Sequence, residues 1–300
     1  MEKKFAIIFS TISLFVLAFF GFSMHIQQQS FGADVFAQQQ PSTGLSAMTL
    51  VSFGNGNTNN SSFNTSAQPI ENKSVNYFGN VTGYLAFPSS STNQSEKLPA
   101  VVVIHENKGL NDYIKSSVNL LAKHGYVVLA VDLFNGETTT DQKRSSELTS
   151  KIRQNPNIAI DNMKSAVKYL GSLDNVNASK IVSLGWCFGG GQSLQLALHS
   201  QDQPLAGTIL YYGVPLTNDT KALSTIKWPV LGIFGSKDMA IPVDTVKQFQ
   251  KALNETGITN EIYIYPGVGH AFANPSNPNY GAKETADAWE KTLAFLDKYT

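Results

Sequence analysis

The chain has 300 residues and a formal charge of zero, from 22 basic and 22 acidic side chains. Only Arg144 and Arg153 are arginine, which excludes the basic, arginine-bearing face that nucleic acid selects. Its single cysteine, Cys187, excludes an internal disulfide, and no Cys/His cluster has zinc spacing, so neither a metal nor another cofactor is called for.

The N-terminus opens with Lys3 and Lys4 ahead of an apolar run from Phe5 to Met24. That is the layout of an export signal, with Val35-Phe36-Ala37 offering a small-residue cleavage pattern. The run is also long enough to span a bilayer, so residues 1–37 read either as a signal peptide or as a membrane anchor. In both cases the lysines stay inside and the remainder is expected outside the cytoplasm. Residues 38–73 are rich in Ser, Thr, Asn and Gln and read as a disordered tether.

From Ser74 the pattern changes, and residues 74–300 read as one domain of about 225 residues, ample for a buried core. Strand-length apolar runs occur at Gly83 to Phe87, Ala100 to His105, Tyr126 to Asp132, Lys180 to Gly185, Ala206 to Tyr212, Val230 to Gly235 and Glu261 to Tyr265. Helical periods lie at Tyr113 to His124, Thr140 to Arg153, Ile158 to Ser172, Gln192 to His199, Val243 to Asn254 and Lys283 to Tyr299. Continuous β-branched runs such as AVVVIH and YVVLAVD suit strands buried on both faces, so the alternation predicts an α/β fold with a mostly parallel sheet and helices on both faces.

In such a sheet, chemistry collects at the carboxyl ends of the strands. Four ends carry polar side chains: His105 and Glu106, Cys187, Asp238, and His270. Nucleophile, acid, histidine is the chain order of an α/β-hydrolase triad. Gly185 and Gly189 frame Cys187 as G-x-C-x-G, and no G-x-S-x-G occurs to compete with it. At that elbow a thiol meets a helix N-terminus, which favours thiolate, and the Phe188 N–H is placed for a developing oxyanion. Taken alone, a cysteine after an apolar strand is most often a small buried hydrophobe. The glycine frame together with Asp238 and His270 selects the nucleophile.

VVVIHENKGL, GYVVLAVDLF, GWCFGGG, GSKDMAIP and GHAFAN together, in that order, resemble the dienelactone hydrolase family over nearly all of residues 74–300. The resemblance implies a single-domain α/β-hydrolase fold with Cys187 as nucleophile, His270 as base and Asp238 orienting the histidine. It also implies that Glu106 engages the resting thiol and moves when substrate arrives, and that the Asn107 N–H is a second oxyanion donor. A carboxylate beside a thiol can in any case accept its proton, while as a like charge it raises the thiol pKa until it turns away. On an extended chain His105 faces away from Glu106 and reads as a buried, hydrogen-bonded histidine. Asp132 reads as structural, and His124 and His199 as helix C-terminal residues.

Trp186, Phe134 and Phe272 are candidate apolar lining for the substrate, with packing beneath the elbow the alternative for Trp186. The family's carboxylate-binding arginines are absent, since those places hold Asn135-Gly136 and Ala271-Phe272-Ala273-Asn274; Lys108 is the nearest cation by sequence. The expected protein is an exported thiol hydrolase of small esters or lactones, without nucleic-acid partners; the sequence does not fix its oligomeric state, a monomer being favoured. A non-catalytic binding module on the same fold is the alternative.

Overall fold

The computed structural model describes residues 68–92 and 96–300; the apolar leader and all but the last residues of the expected tether lie outside them. Eight strands among the described residues form one sheet: β1 (Ile70–Phe78), β2 (Val81–Pro88), β3 (Leu98–Ile104), β4 (Val127–Val131), β5 (Val176–Trp186), β6 (Gly207–Tyr211), β7 (Val230–Gly235) and β8 (Asn260–Tyr265). Their order across the sheet is β1-β2-β4-β3-β5-β6-β7-β8. The β1–β2 and β2–β4 pairs are antiparallel and the other five are parallel. The helices are α1 (Asp112–Lys123), α2 (Gln142–Gln154), α3 (Pro156–Gly171), α4 (Phe188–Leu198), α5 (Thr220–Leu223), α6 (Val243–Glu255) and α7 (Ala282–Tyr299). This is the α/β-hydrolase architecture, with the helices flanking the sheet.

Every residue of β4, β6 and β7 is buried. Side chains alternate between the two faces of a strand, so both faces of the central sheet are covered. The runs of Val, Ile and Leu there are each stabilised by about 1.5–3 kcal/mol per buried side chain. Helix α1 supplies part of the cover, burying Ile114, Val118 and Leu121 on one stripe, and the Asn111 side chain caps it by accepting from the Ile114 N–H at 3.2 Å. Asp141 caps α2 in the same way through the Arg144 N–H at 2.7 Å, and Pro156 starts α3 where no N–H is needed.

Three elements differ from the sequence reading by more than two residues, among them β5, which starts at Val176 and not at Lys180. Strand β1 starts at Ile70, inside the segment read as tether, and pairs Ile70 to Lys73 with Pro88 to Leu85 of β2. Only its Val75 and Tyr77 are buried, so an edge strand with one half-covered face left little apolar signal. Helix α4 starts at Phe188, four residues before the expected Gln192, and runs through Gly189, Gly190 and Gly191.

Candidate active site

The parallel pairing aligns strand ends, with Ile104 opposite Gly185 and Trp186 opposite Tyr211. Residues that follow these ends therefore emerge on one edge of the sheet. Cys187 follows β5 directly and is the N-cap of α4, with φ 54° and ψ −119°. A left-handed backbone at a non-glycine residue costs on the order of 1–3 kcal/mol and needs its surroundings to hold it. Here the Cys187 N–H donates to the Tyr211 carbonyl at 2.9 Å, and the glycine frame supplies space. A Cβ on Gly185 would collide with the Gly189 carbonyl, and one on Gly189 with the Ile104 carbonyl. The elbow thus closes only because both positions lack side chains.

His270 meets the sulfur. Its Nε2 lies 3.1 Å from Cys187 Sγ and its Nδ1 2.8 Å from Asp238 Oδ2. Asp238 is buried, and its other oxygen accepts from the Ala240 and Ile241 N–H groups at 2.8 and 3.0 Å, which fixes the carboxylate against the loop after β7. Burial disfavours a charged imidazole, but the hydrogen bonds to Asp238 and Cys187, with the charges of both, outweigh it and raise His270 to about 10. Ala271, next in the chain, also has positive φ, as does Tyr212 after β6, whose ring lies 5.2 Å from that of His270.

Glu106 is placed differently from the expectation. It makes no hydrogen bond to Cys187; its Oε2 accepts from the Asn274 side-chain amide at 2.6 Å, while its Oε1 is buried without a partner. The sulfur is engaged by His270 instead, so the resting contact expected for Glu106 is absent. Burial pushes the Glu106 carboxyl up, opposed by the Asn274 hydrogen bond and the charges of Lys108 and His270. Half-exposed Lys108 stands near that carboxyl without pairing to it.

At the start of α4 the Phe188 N–H has no intrahelical acceptor, as for any first helical residue. The Asn107 N–H has no acceptor among the described residues, and its carbonyl is held by the Ser145 hydroxyl at 2.7 Å. His105, fully buried, lies between Glu106 O at 2.6 Å and the Leu133 N–H at 3.1 Å. Asp132 is structural: its Oδ1 accepts from the Phe134 N–H at 2.8 Å and its Oδ2 from that of Gly136, tightening the turn after β4. His124 and His199 are the C-caps of α1 and α4.

The expected apolar lining is mostly core. Phe272 is 0% exposed, packed against Tyr212 and Tyr265, and Trp186 at 2% is packed between Tyr113 and Tyr211. Phe134, at 6%, packs on His105 and Phe188. Phe134 packs on the elbow residue Phe188 and Trp186 directly precedes Cys187, while Phe272 has no surface to offer a substrate. Sequence reasoning missed two residues at the site, Asn274 and Tyr212. Asn274 closes the GHAFAN stretch, which was the available signal; Tyr212 carried none, being one of several tyrosines at strand ends.

A model of the dienelactone hydrolase family matches residues 81–300. A proposed carboxymethylenebutenolidase of Saccharolobus solfataricus is 32% identical over 249 residues, covering 69% of this chain and 91% of the relative. Another, from Escherichia coli K12, is 27% identical over 241 residues, covering 73% and 88%. Among solved structures, a proposed dienelactone hydrolase from Klebsiella pneumoniae superposes with a TM-score of 0.67 at 24% identity, over 77% of this chain and 100% of that one. A dienelactone hydrolase-like promiscuous phosphotriesterase from metagenomic libraries gives 0.69 at 23% identity, over 77% and 98%. These two likenesses are of fold.

Proposed function

Because the chain belongs to the dienelactone hydrolase family and is a hydrolase of that kind, we propose that it cleaves small-molecule esters or lactones by acyl transfer through Cys187. The observation that carries this reading is the continuous chain from Asp238 through His270 to Cys187, at 2.8 and 3.1 Å. In the reaction, the sulfur attacks the carbonyl carbon and the carbonyl electron pair moves to oxygen, where the Phe188 and Asn107 N–H groups receive the negative charge. His270, carrying the proton taken from the thiol, passes it from Nε2 to the leaving alkoxide as the C–O bond breaks. Water then gives its proton to Nε2 and attacks the thioester, and the acid leaves as the sulfur is released. Asp238, bonded to Nδ1, fixes the ring tautomer that this shuttle requires.

Glu106, held off the sulfur by Asn274, leaves the thiol with its base in the resting enzyme. The paired lysines and apolar run from Phe5 to Met24 support action outside the cytoplasm, either after cleavage of the leader or on a membrane anchor.

Stopped-flow mixing with a chromogenic acetate ester tests the nucleophile. The parent should release product with a burst, and Cys187→Ala should abolish turnover without loss of fold, since it removes only the sulfur. Cys187→Ser should retain weak activity at best, because a hydroxyl needs a stronger push from His270. Hydrolysis by the alanine variant at a rate comparable to the parent excludes the thiol route, and a parent without turnover on any ester or lactone leaves a binding module.

A further inference from the structure

His105 takes no part in the reaction as written, yet it is wholly buried one residue before the site. Its hydrogen bonds define its protonation. The Leu133 N–H can only donate, so Nε2, 3.1 Å away, must present its lone pair. The neutral ring therefore carries its proton on Nδ1, which donates to the Glu106 carbonyl at 2.6 Å. Phe134 and Phe188 pack on the ring at centroid distances of 4.6 and 6.2 Å, which fixes its plane.

The Glu106 carbonyl and the Asn107 N–H belong to one peptide group. Among the described residues the only cis bond is Val214–Pro215, so this group is trans and its N–H points opposite to its carbonyl. Gripping the carbonyl therefore aims the N–H. The Gly109 N–H also reaches that carbonyl, but at 3.3 Å it is the weaker hold. The Asn107 N–H is left turned away from the imidazole with no acceptor among the described residues.

We infer that His105 is a positioning residue that orients the Asn107 N–H as an oxyanion donor, acting through the Glu106–Asn107 peptide and anchored to the turn after β4. This rests on the thiol mechanism proposed above. It differs from a simple latch between β3 and β4 in that it assigns separate jobs to the two ring nitrogens, Nδ1 for aiming and Nε2 for anchoring.

Two amides separate those jobs. His105→Asn places an amide N–H near the Nδ1 position, whereas His105→Gln places its amide near Nε2 and leaves the Glu106 carbonyl without that donor. For each variant kcat and KM on a chromogenic acetate ester are compared with the rate of Cys187 alkylation by iodoacetamide, a displacement at saturated carbon that develops no oxyanion. Loss of one oxyanion donor costs about 100- to 1000-fold in kcat, so a misaimed one should cost roughly 10- to 100-fold in His105→Gln. KM and the alkylation rate should stay near the parent values, and His105→Asn should recover most of kcat.

Equal kcat losses in the two variants, or alkylation falling in step with kcat, would overturn the assignment and leave a structural latch. Should the glutamine variant not fold, the asparagine variant decides: kcat within about fivefold of the parent supports the assignment and a larger loss overturns it. Failure of the thiol mechanism itself is read separately, from turnover by Cys187→Ala.

Discussion

Glu106 shows how a single residue can be held at a cost to the fold. Its carboxyl is buried, accepts one hydrogen bond from the neutral amide of Asn274, and has a second oxygen with no partner. Burial raises it against the Asn274 hydrogen bond and the charges of Lys108 and His270. A carboxyl raised in the folded state binds its proton more tightly there than when unfolded. Its contribution to stability is thus full below the ordinary value of 4.5 and is lost as pH climbs through the raised folded value.

Glutamine keeps the shape and the oxygen that Asn274 needs, but never charges. Glu106→Gln should match the parent at about pH 4 and exceed its stability by about 1–3 kcal/mol at about pH 8, as read by urea unfolding at both values. A parent that is the more stable at alkaline pH contradicts this. At this scale the positions of Cys187, Asp238 and His270 were legible, because chain order and flanking glycines are local signals. The partner of Glu106 was not: Asn274 lies 168 residues away in sequence, and nothing near Glu106 points to it.

At the scale of elements, the strands that sequence made plain are those buried on both faces, whose apolar runs are continuous. Strand β1 was hidden because it covers the sheet edge with only two buried side chains. One of them does more than pack. The Tyr77 hydroxyl donates to Asn162 Oδ1 at 2.7 Å and accepts from the Asp132 N–H at 2.9 Å, tying the first strand to α3 and to the turn after β4. Tyr77→Phe leaves those buried groups unsatisfied and should cost about 1–3 kcal/mol by denaturant unfolding. A chain beginning at Gly79 should be less stable still, since it also loses the β1 ladder. Equal stability of the parent and these two variants would show that β1 is an ornament.

The opposite failure of reading occurred at α4, where three successive glycines argue against a helix by propensity. Backbone passes too close for a side chain at each of them, that of Ile104 at the end of β3 beside Gly189 and that of Tyr211 to Val214, at and after the end of β6, beside Gly190 and Gly191, so packing overrides the local preference.

For the whole molecule the informative property is charge. Basic and acidic residues balance at 22 each, so the net charge of the chain does not gather an anionic substrate. Of the two arginines, Arg144 is spent on Glu137 and Glu147 at the start of α2, and Arg153 is exposed near the end of that helix. Asn274, at a place where the resemblance calls for a carboxylate-binding arginine, offers an amide that is already donated to Glu106. Lys108, whose charge reaches the Glu106 carboxyl, lacks the two-pronged fork that holds a carboxylate.

Each charge-assisted contact missing from the site should weaken carboxylate recognition by about 1.5–3 kcal/mol. Neutral esters or lactones should therefore be preferred over carboxylate-bearing analogues by roughly tenfold or more in kcat/KM. The same balance predicts a second signature: kcat/KM for the anionic analogue should be nearly flat as salt is raised, because there is no net-charge steering to screen. Both follow from paired measurements on one neutral ester and its anionic counterpart at low and high ionic strength. A preference for the anion that falls with salt refutes the argument, and loss of that preference in Lys108→Ala would identify the lysine as the substitute for the missing arginines.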